Sequence, residues 1–179
     1  MAKSTTMFEV LFTSIIPLAL LLAFTLFITI TLHELGHAIP ALLMTREDVT
    51  IYIGSLGNPD KSFHVSFGRL TIYCKYNPLF WYKGCCVSFD YNLTIDQRLL
   101  LVAGGPVASL LGTLVSWLLL SYVDEAGILR LISGSVFTIS FIITVSILFP
   151  SFSVRYTAGG HPVYNDSYQI VRLLKMKYS

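Results

Sequence analysis

The chain has 179 residues, of which 54% are hydrophobic and only 12% are charged. An ordinary soluble domain has roughly 25% charged residues, so this composition argues against one and indicates a protein embedded in a lipid bilayer. The formal net charge is +2 and the basic residues are spread over several loops, which gives little support to nucleic-acid binding.

Three uncharged apolar runs are long enough to cross a bilayer: Val10 to Leu32, Leu99 to Tyr122 and Leu131 to Phe149. As helices they would extend roughly 35, 36 and 28 Å, against a hydrocarbon core of roughly 30 Å. With flanking residues they predict spans at 10–44, 99–122 and 128–149. We therefore expect a mainly α integral membrane protein with three transmembrane helices, folded as one domain over residues 1–179.

The first run could instead be a secretory signal, because Lys3 precedes it. It is longer than the roughly 7–15 apolar residues of a signal core, and no small-residue cleavage site follows it. We predict a retained helix, which leads directly into His33-Glu34-Leu35-Gly36-His37.

This H-E-x-x-H motif predicts a metal site. In a helix, a spacing of four puts His33 and His37 on one face, about 6 Å apart in rise, where both imidazoles can bind one ion. Glu34 is rotated by about 100° and can lie beside a water molecule on the metal, whose proton it would take during hydrolysis. Two unrelated surface histidines are the alternative, but ionisable groups beside a bilayer are costly without a partner.

Residues 49–89 predict a small antiparallel β insertion between the first and second spans. Four stretches rich in β-branched and aromatic residues are separated by Gly, Asn and Pro turns: Val49 to Ile53, Phe63 to Phe67, Leu70 to Cys74, and Cys85 to Phe89. Two interpretations stay open. The sheet is a structural cover, or one exposed edge pairs with an extended substrate segment by strand addition.

Lys and Arg in short loops favour the cytoplasmic side of a membrane. Residues 45–98 carry six of them, and the tail after the third span has Arg155, Arg172, Lys175 and Lys177. The opposite side has Lys3 and the acidic turn Asp124-Glu125, with Arg130 mildly against the trend. This distribution predicts an N-terminus outside, and a β insertion and C-terminus in the cytoplasm.

The three cysteines, Cys74, Cys85 and Cys86, fall in the insertion and are expected to be free thiols, because the cytoplasm keeps thiols reduced. A metal site at Cys85-Cys86 lacks the usual gap of two to four residues between ligands. In the second span, Gly104, Gly105, Ala108, Ser109 and Gly112 form a small-residue face suited to close helix packing. Ser109 as a hydrogen-bond donor to substrate is the alternative.

Taken together, these motifs resemble the site-2 protease family of intramembrane metalloproteases, peptidase family M50. The resemblance rests on HELGH ending the first span, the β insertion, Gly105-Pro106 opening the second span, and Tyr164-Asn165-Asp166-Ser167 in the segment 150–179. It implies a Zn²⁺ ion held by His33, His37 and Asp166, Glu34 as general base, and membrane protein or peptide substrates. Two alternatives stay open: His161 as third ligand, and Asp166 as only the cap of a short helix.

The chain departs from the family pattern at three places. Ser167 follows the aspartate where glycine is usual, Ser109 stands where asparagine is common, and the asparagine before the last proline is replaced around Ile147 to Pro150. The competing function is a non-proteolytic membrane protein with a structural zinc site, which binds or retains a partner through its β insertion. Glu34 favours the enzyme, because a structural site needs no base. Metal transport would require more polar groups in the second and third spans.

Overall fold

The computed structural model describes residues 13, 15–88, 92–123, 127–148, 155–156 and 162–179. The helices are α1 (Ile16–Met44), α2 (Ile95–Leu120), α3 (Ile128–Leu148) and α4 (Asp166–Tyr178). The strands are β1 (Val49–Ile53), β2 (Ser62–Phe67), β3 (Leu70–Lys75), β4 (Gly84–Ser88), β5 (Arg155–Tyr156) and β6 (Pro162–Val163), with a 3₁₀ turn at Pro78–Phe80.

Helices α1, α2 and α3 are long and apolar enough to cross a membrane. The predicted fold class is confirmed: three such helices, with a small sheet between the first and second. Helix α2 begins four residues before the predicted position 99, because Thr94 and Gln97 form a capping box. The Thr94 hydroxyl accepts from the Gln97 amide at 3.3 Å, and the Gln97 side chain accepts from the Thr94 amide at 2.9 Å.

The backbones of α1 and α2 touch at two glycines. A Cβ placed on Gly36 or on Gly104 would come closer than 3.0 Å to the carbonyl oxygen of the other residue. Small residues allow this approach, which is how helices associate in lipid, where no hydrophobic force drives them together. The predicted packing role of the small-residue face therefore holds at Gly104, whereas Gly112 on the same helix faces Ser140 of α3.

The four-stranded sheet has the order β2-β3-β1-β4. Strand β1 pairs antiparallel with β4, and β2 with β3, as predicted. The prediction of an antiparallel sheet is wrong for the third pair, because β1 and β3 run parallel. Parallel neighbours need a crossover of about a dozen residues or more, and residues 54–69, which include β2, provide it.

The sheet packs on the C-terminal turns of α1. Alternate residues of β1 have no exposed surface and form a core with residues of α1 and β3: Val49, Ile51, Ile53, Ala38, Ala41 and Cys74. In the β2–β3 turn, the Arg69 guanidinium donates to the carbonyls of Leu42 and Thr45, at 2.6 Å each. These carbonyls have no partner within the helix, so Arg69 fixes the sheet to the end of α1.

We expect Gly36→Ala to lower the free energy of unfolding by more than about 2 kcal/mol, because the new methyl meets the Gly104 backbone, which cannot rotate away. Denaturant unfolding of the purified protein in detergent micelles measures the effect. Gly112→Ala is the matched control, since its Cβ would lie 3.5 Å from Ser140 Oγ, an ordinary contact. Equal stability of the two variants would contradict the backbone contact between α1 and α2.

Candidate metal centre

His33 and His37 lie one turn apart on the face of α1 that meets α2. Their ring centroids are 5.0 Å apart in an edge-to-face arrangement, and their Nε2 atoms are separated by 3.3 Å. Two nitrogens at this distance from one another can face a single ion. The spacing of four in the motif produces this geometry directly.

Asp166, the first residue of α4, completes the group. Its Oδ2 is 3.0 Å from His33 Nε2 and 3.4 Å from His37 Nε2. The far end of α4 is tied to the first turn of α2 by an ion pair between Lys177 and Asp96, at 2.5 Å. Asp166 therefore contacts the histidines although more than a hundred residues separate them in the sequence.

The cap of α4 is Asn165, so the alternative that Asp166 serves only as a helix cap is wrong. The Asn165 side-chain oxygen accepts from the Ser167 amide at 3.1 Å and from the Ser167 hydroxyl at 3.0 Å. Burial alone would raise the pKa of the Asp166 carboxyl, but its contacts with the imidazoles of His33 and His37 outweigh burial and hold that pKa below its usual range. The Asp166 side chain is therefore a carboxylate that is free to face the histidines.

The other ring nitrogen of each histidine also has a polar partner. His37 Nδ1 is 2.9 Å from the Leu101 carbonyl oxygen, which can only accept, so Nδ1 donates and Nε2 keeps its lone pair. The Gly105 amide lies 3.3 Å from the same nitrogen, a longer contact than the carbonyl. Gly105 also gives the ring space, because a Cβ there would overlap it. His33 Nδ1 is 2.8 Å from Ser109 Oγ.

Three ligand atoms thus converge at separations of 3.0, 3.3 and 3.4 Å. Ligands about 2.0–2.1 Å from a tetrahedral zinc ion lie about 3.3 Å apart, so the triangle matches this ion and leaves a fourth position open. Within the described ranges, His33, His37 and Asp166 are the group of His, Cys, Asp and Glu residues that could hold a metal. These are the three residues that the sequence analysis named as ligands.

Glu34 lies beside this triangle and outside it. The side chain is buried, and its carboxylate lies against β4. Gly84, at the start of the same strand, leaves the space that the carboxylate fills, because a Cβ there would overlap Glu34 Oε1. The edge strand of the sheet thus holds the Glu34 side chain next to the histidines.

Sequence reasoning missed these supporting contacts. Gly84 lies in the predicted turn before the fourth strand, but it packs against Glu34. Ser109 is predicted to serve packing or substrate binding, but it contacts His33. The signal that could have identified Ser109 is its hydroxyl, which is a polar group within the small-residue face of α2. The residues His161, Asp124 and Glu125 lie outside the described residues, and their roles stay predictions.

The cysteines do not form a metal site. All three are free, as predicted. Cys85 and Cys86 are neighbours in β4 and point to opposite faces of the sheet, so they cannot share an ion. Burial raises the pKa of Cys74 to about 11 and, with the nearby carboxylates, that of Cys85 to about 12. Both thiols are therefore protonated at neutral pH.

Comparison with known proteins gives one match. The family model described as peptidase family M50 matches residues 21–174, a range that includes both motif histidines and Asp166. No curated protein and no solved structure matches the chain.

We expect the purified protein to bind about one Zn²⁺ ion per chain, and Asp166→Ala to lose it, because two imidazoles alone leave the triangle incomplete. Metal analysis after dialysis against a weak chelator measures the occupancy. Glu34→Gln is the control, since it changes a buried carboxylate outside the triangle and should retain the metal. Loss of zinc in His161→Ala with retention in Asp166→Ala would assign the third ligand to His161 instead.

Proposed function

Because the chain belongs to peptidase family M50, we propose that it is an intramembrane zinc metalloprotease that hydrolyses peptide bonds of membrane proteins or membrane-associated peptides. The observation that carries the proposal is the triangle of His33 and His37 on α1 with Asp166 on α4, which has a buried carboxylate beside it. In this proposal, these three residues hold the zinc, Glu34 is the general base, and residues 1–179 form one membrane-embedded domain.

Zinc, when bound, supplies the Lewis acidity that activates water and polarises the peptide carbonyl. Glu34 takes the proton of the attacking water and passes it to the leaving amine. For this, its carboxylate must stay close to the histidines without joining them. Gly84 of β4 leaves room for it there, because the carboxylate occupies the space that a side chain at this position would fill.

The sheet has two edges, and β4 is the edge next to Glu34. The other edge, β2, is separated from β4 by two strands, about 14 Å at the usual spacing. A transmembrane segment must unwind before its peptide bonds become accessible, and an extended segment can then pair with a strand edge. Among the two edges, β4 is therefore the one on which we place the substrate.

Glu34→Gln should lower the rate of cleavage of a candidate membrane substrate about 100-fold to 10,000-fold, because the amide keeps the shape but cannot accept a proton. The measurement is cleavage by wild type and variant in detergent or vesicles, together with their zinc content. Unchanged turnover in the variant would favour the structural zinc site that binds a partner.

Gly84→Ala is the companion variant in the same assay. Its methyl would overlap Glu34 Oε1 and the Ile30 side chain, so the flexible carboxylate must move while the metal ligands stay in place. We expect turnover to fall at least about tenfold with zinc retained. If Gly84→Ala keeps wild-type turnover, the packing of Glu34 against β4 does not matter for the reaction.

We further propose that the β insertion and the C-terminus face the cytoplasm, on the basis of the Lys and Arg distribution. The contact of Asp166 with α1 supports placing the sheet and α4 on the same side of the membrane. Reporter fusions after Asp60 and Ser179 should give cytoplasmic signals, and a fusion after Glu125 an extracytoplasmic one. An extracytoplasmic signal after Asp60 would reverse the orientation.

A further inference from the structure

We propose that Ser109 is a positioning residue for the metal centre, which holds the His33 ring so that its Nε2 faces the same point as His37 Nε2 and Asp166 Oδ2. The inference rests on the metal site of the proposed function. Ser109 lies in the middle of α2, is 2% exposed, and places its Oγ 2.8 Å from His33 Nδ1. The opposite nitrogen of that ring is the one 3.0 Å from Asp166.

The partner of this hydroxyl is unusual for a serine in a membrane helix. Hydroxyls in helix interiors commonly bond to the carbonyl one turn earlier. In the three membrane helices four threonines do so: Thr25, Thr113, Thr138 and Thr144. Ser109 instead reaches a side chain on another helix. A hydroxyl needed only for packing would have no reason to contact an imidazole.

The contact accommodates the tautomer that binds metal. With the proton on Nδ1, the Ser109 oxygen accepts it and His33 Nε2 presents a lone pair to the triangle. The Leu101 carbonyl imposes the same tautomer on His37. The two histidines are thus matched, one held by a backbone carbonyl and the other by a hydroxyl. Partners of this kind orient metal-bound histidines in general, and their loss typically weakens metal binding about 10- to 100-fold.

Of the two groups that contact the Nδ1 atoms, the Leu101 carbonyl belongs to the backbone, so only the Ser109 hydroxyl can be removed by mutation. Ser109→Ala deletes one oxygen and adds no volume, so it introduces no clash. Ser116→Ala is the matched control: Ser116 is 5% exposed on the same face of α2, but about 10 Å further along the helix. The full-length proteins in detergent are compared for the Kd of Zn²⁺, by competition with a chelating indicator, and for the unfolding of the metal-free form.

We expect the Kd of Ser109→Ala to be about 10- to 100-fold higher than wild type, with that of Ser116→Ala unchanged and the metal-free unfolding of the two alike. Equal Kd values in the two variants, whether both shift or neither does, would overturn the inference and leave Ser109 a packing residue. A wild-type protein that binds no zinc would overturn the proposed function and this inference with it. Wild-type zinc binding without proteolysis would refute only the proposed function.

Discussion

The candidate metal centre depends on the backbone contact between α1 and α2 at Gly36 and Gly104. Both of the groups that orient the histidines, the Leu101 carbonyl and the Ser109 hydroxyl, belong to α2. Neither reaches its imidazole unless the two helices approach to the distance that only glycines permit. The missing side chain of Gly105 serves the same contact by leaving room for the His37 ring. The geometry of the candidate ligands therefore depends on the close packing of α1 and α2.

A second constraint is electrostatic. Ionisable side chains next to a bilayer are tolerated only when they have partners, and each one in this centre has them. The imidazoles face the Asp166 carboxylate on one side and a carbonyl or hydroxyl on the other. Glu34 lies next to the two histidines and is buried against Gly84 of β4. The sheet is thus part of the centre, and Arg69 keeps it there by binding the last carbonyls of α1.

The features that could be predicted from the sequence are those encoded locally. Long uncharged runs gave the three membrane helices, and a spacing of four gave the shared face of His33 and His37. The Thr94 and Gln97 capping box is also a local signal, and it explains why α2 begins four residues before the start predicted from the apolar run alone. The parallel pairing of β1 and β3 was not readable, because strand order depends on distant contacts. The same holds for Leu101, which contacts His37 through a backbone carbonyl that any residue would supply.

The distribution of the triangle along the chain determines when it forms. His33 and His37 are synthesised early, whereas Asp166 follows about 130 residues later, in the last helix. At ribosomal rates of about 5–20 residues per second, this interval is on the order of ten seconds. During that time the membrane helices can be inserted and the sheet can fold while Asp166 does not yet exist. A nascent chain therefore enters the bilayer with an incomplete centre, and synthesis of the segment that contains Asp166 is the step that allows its completion.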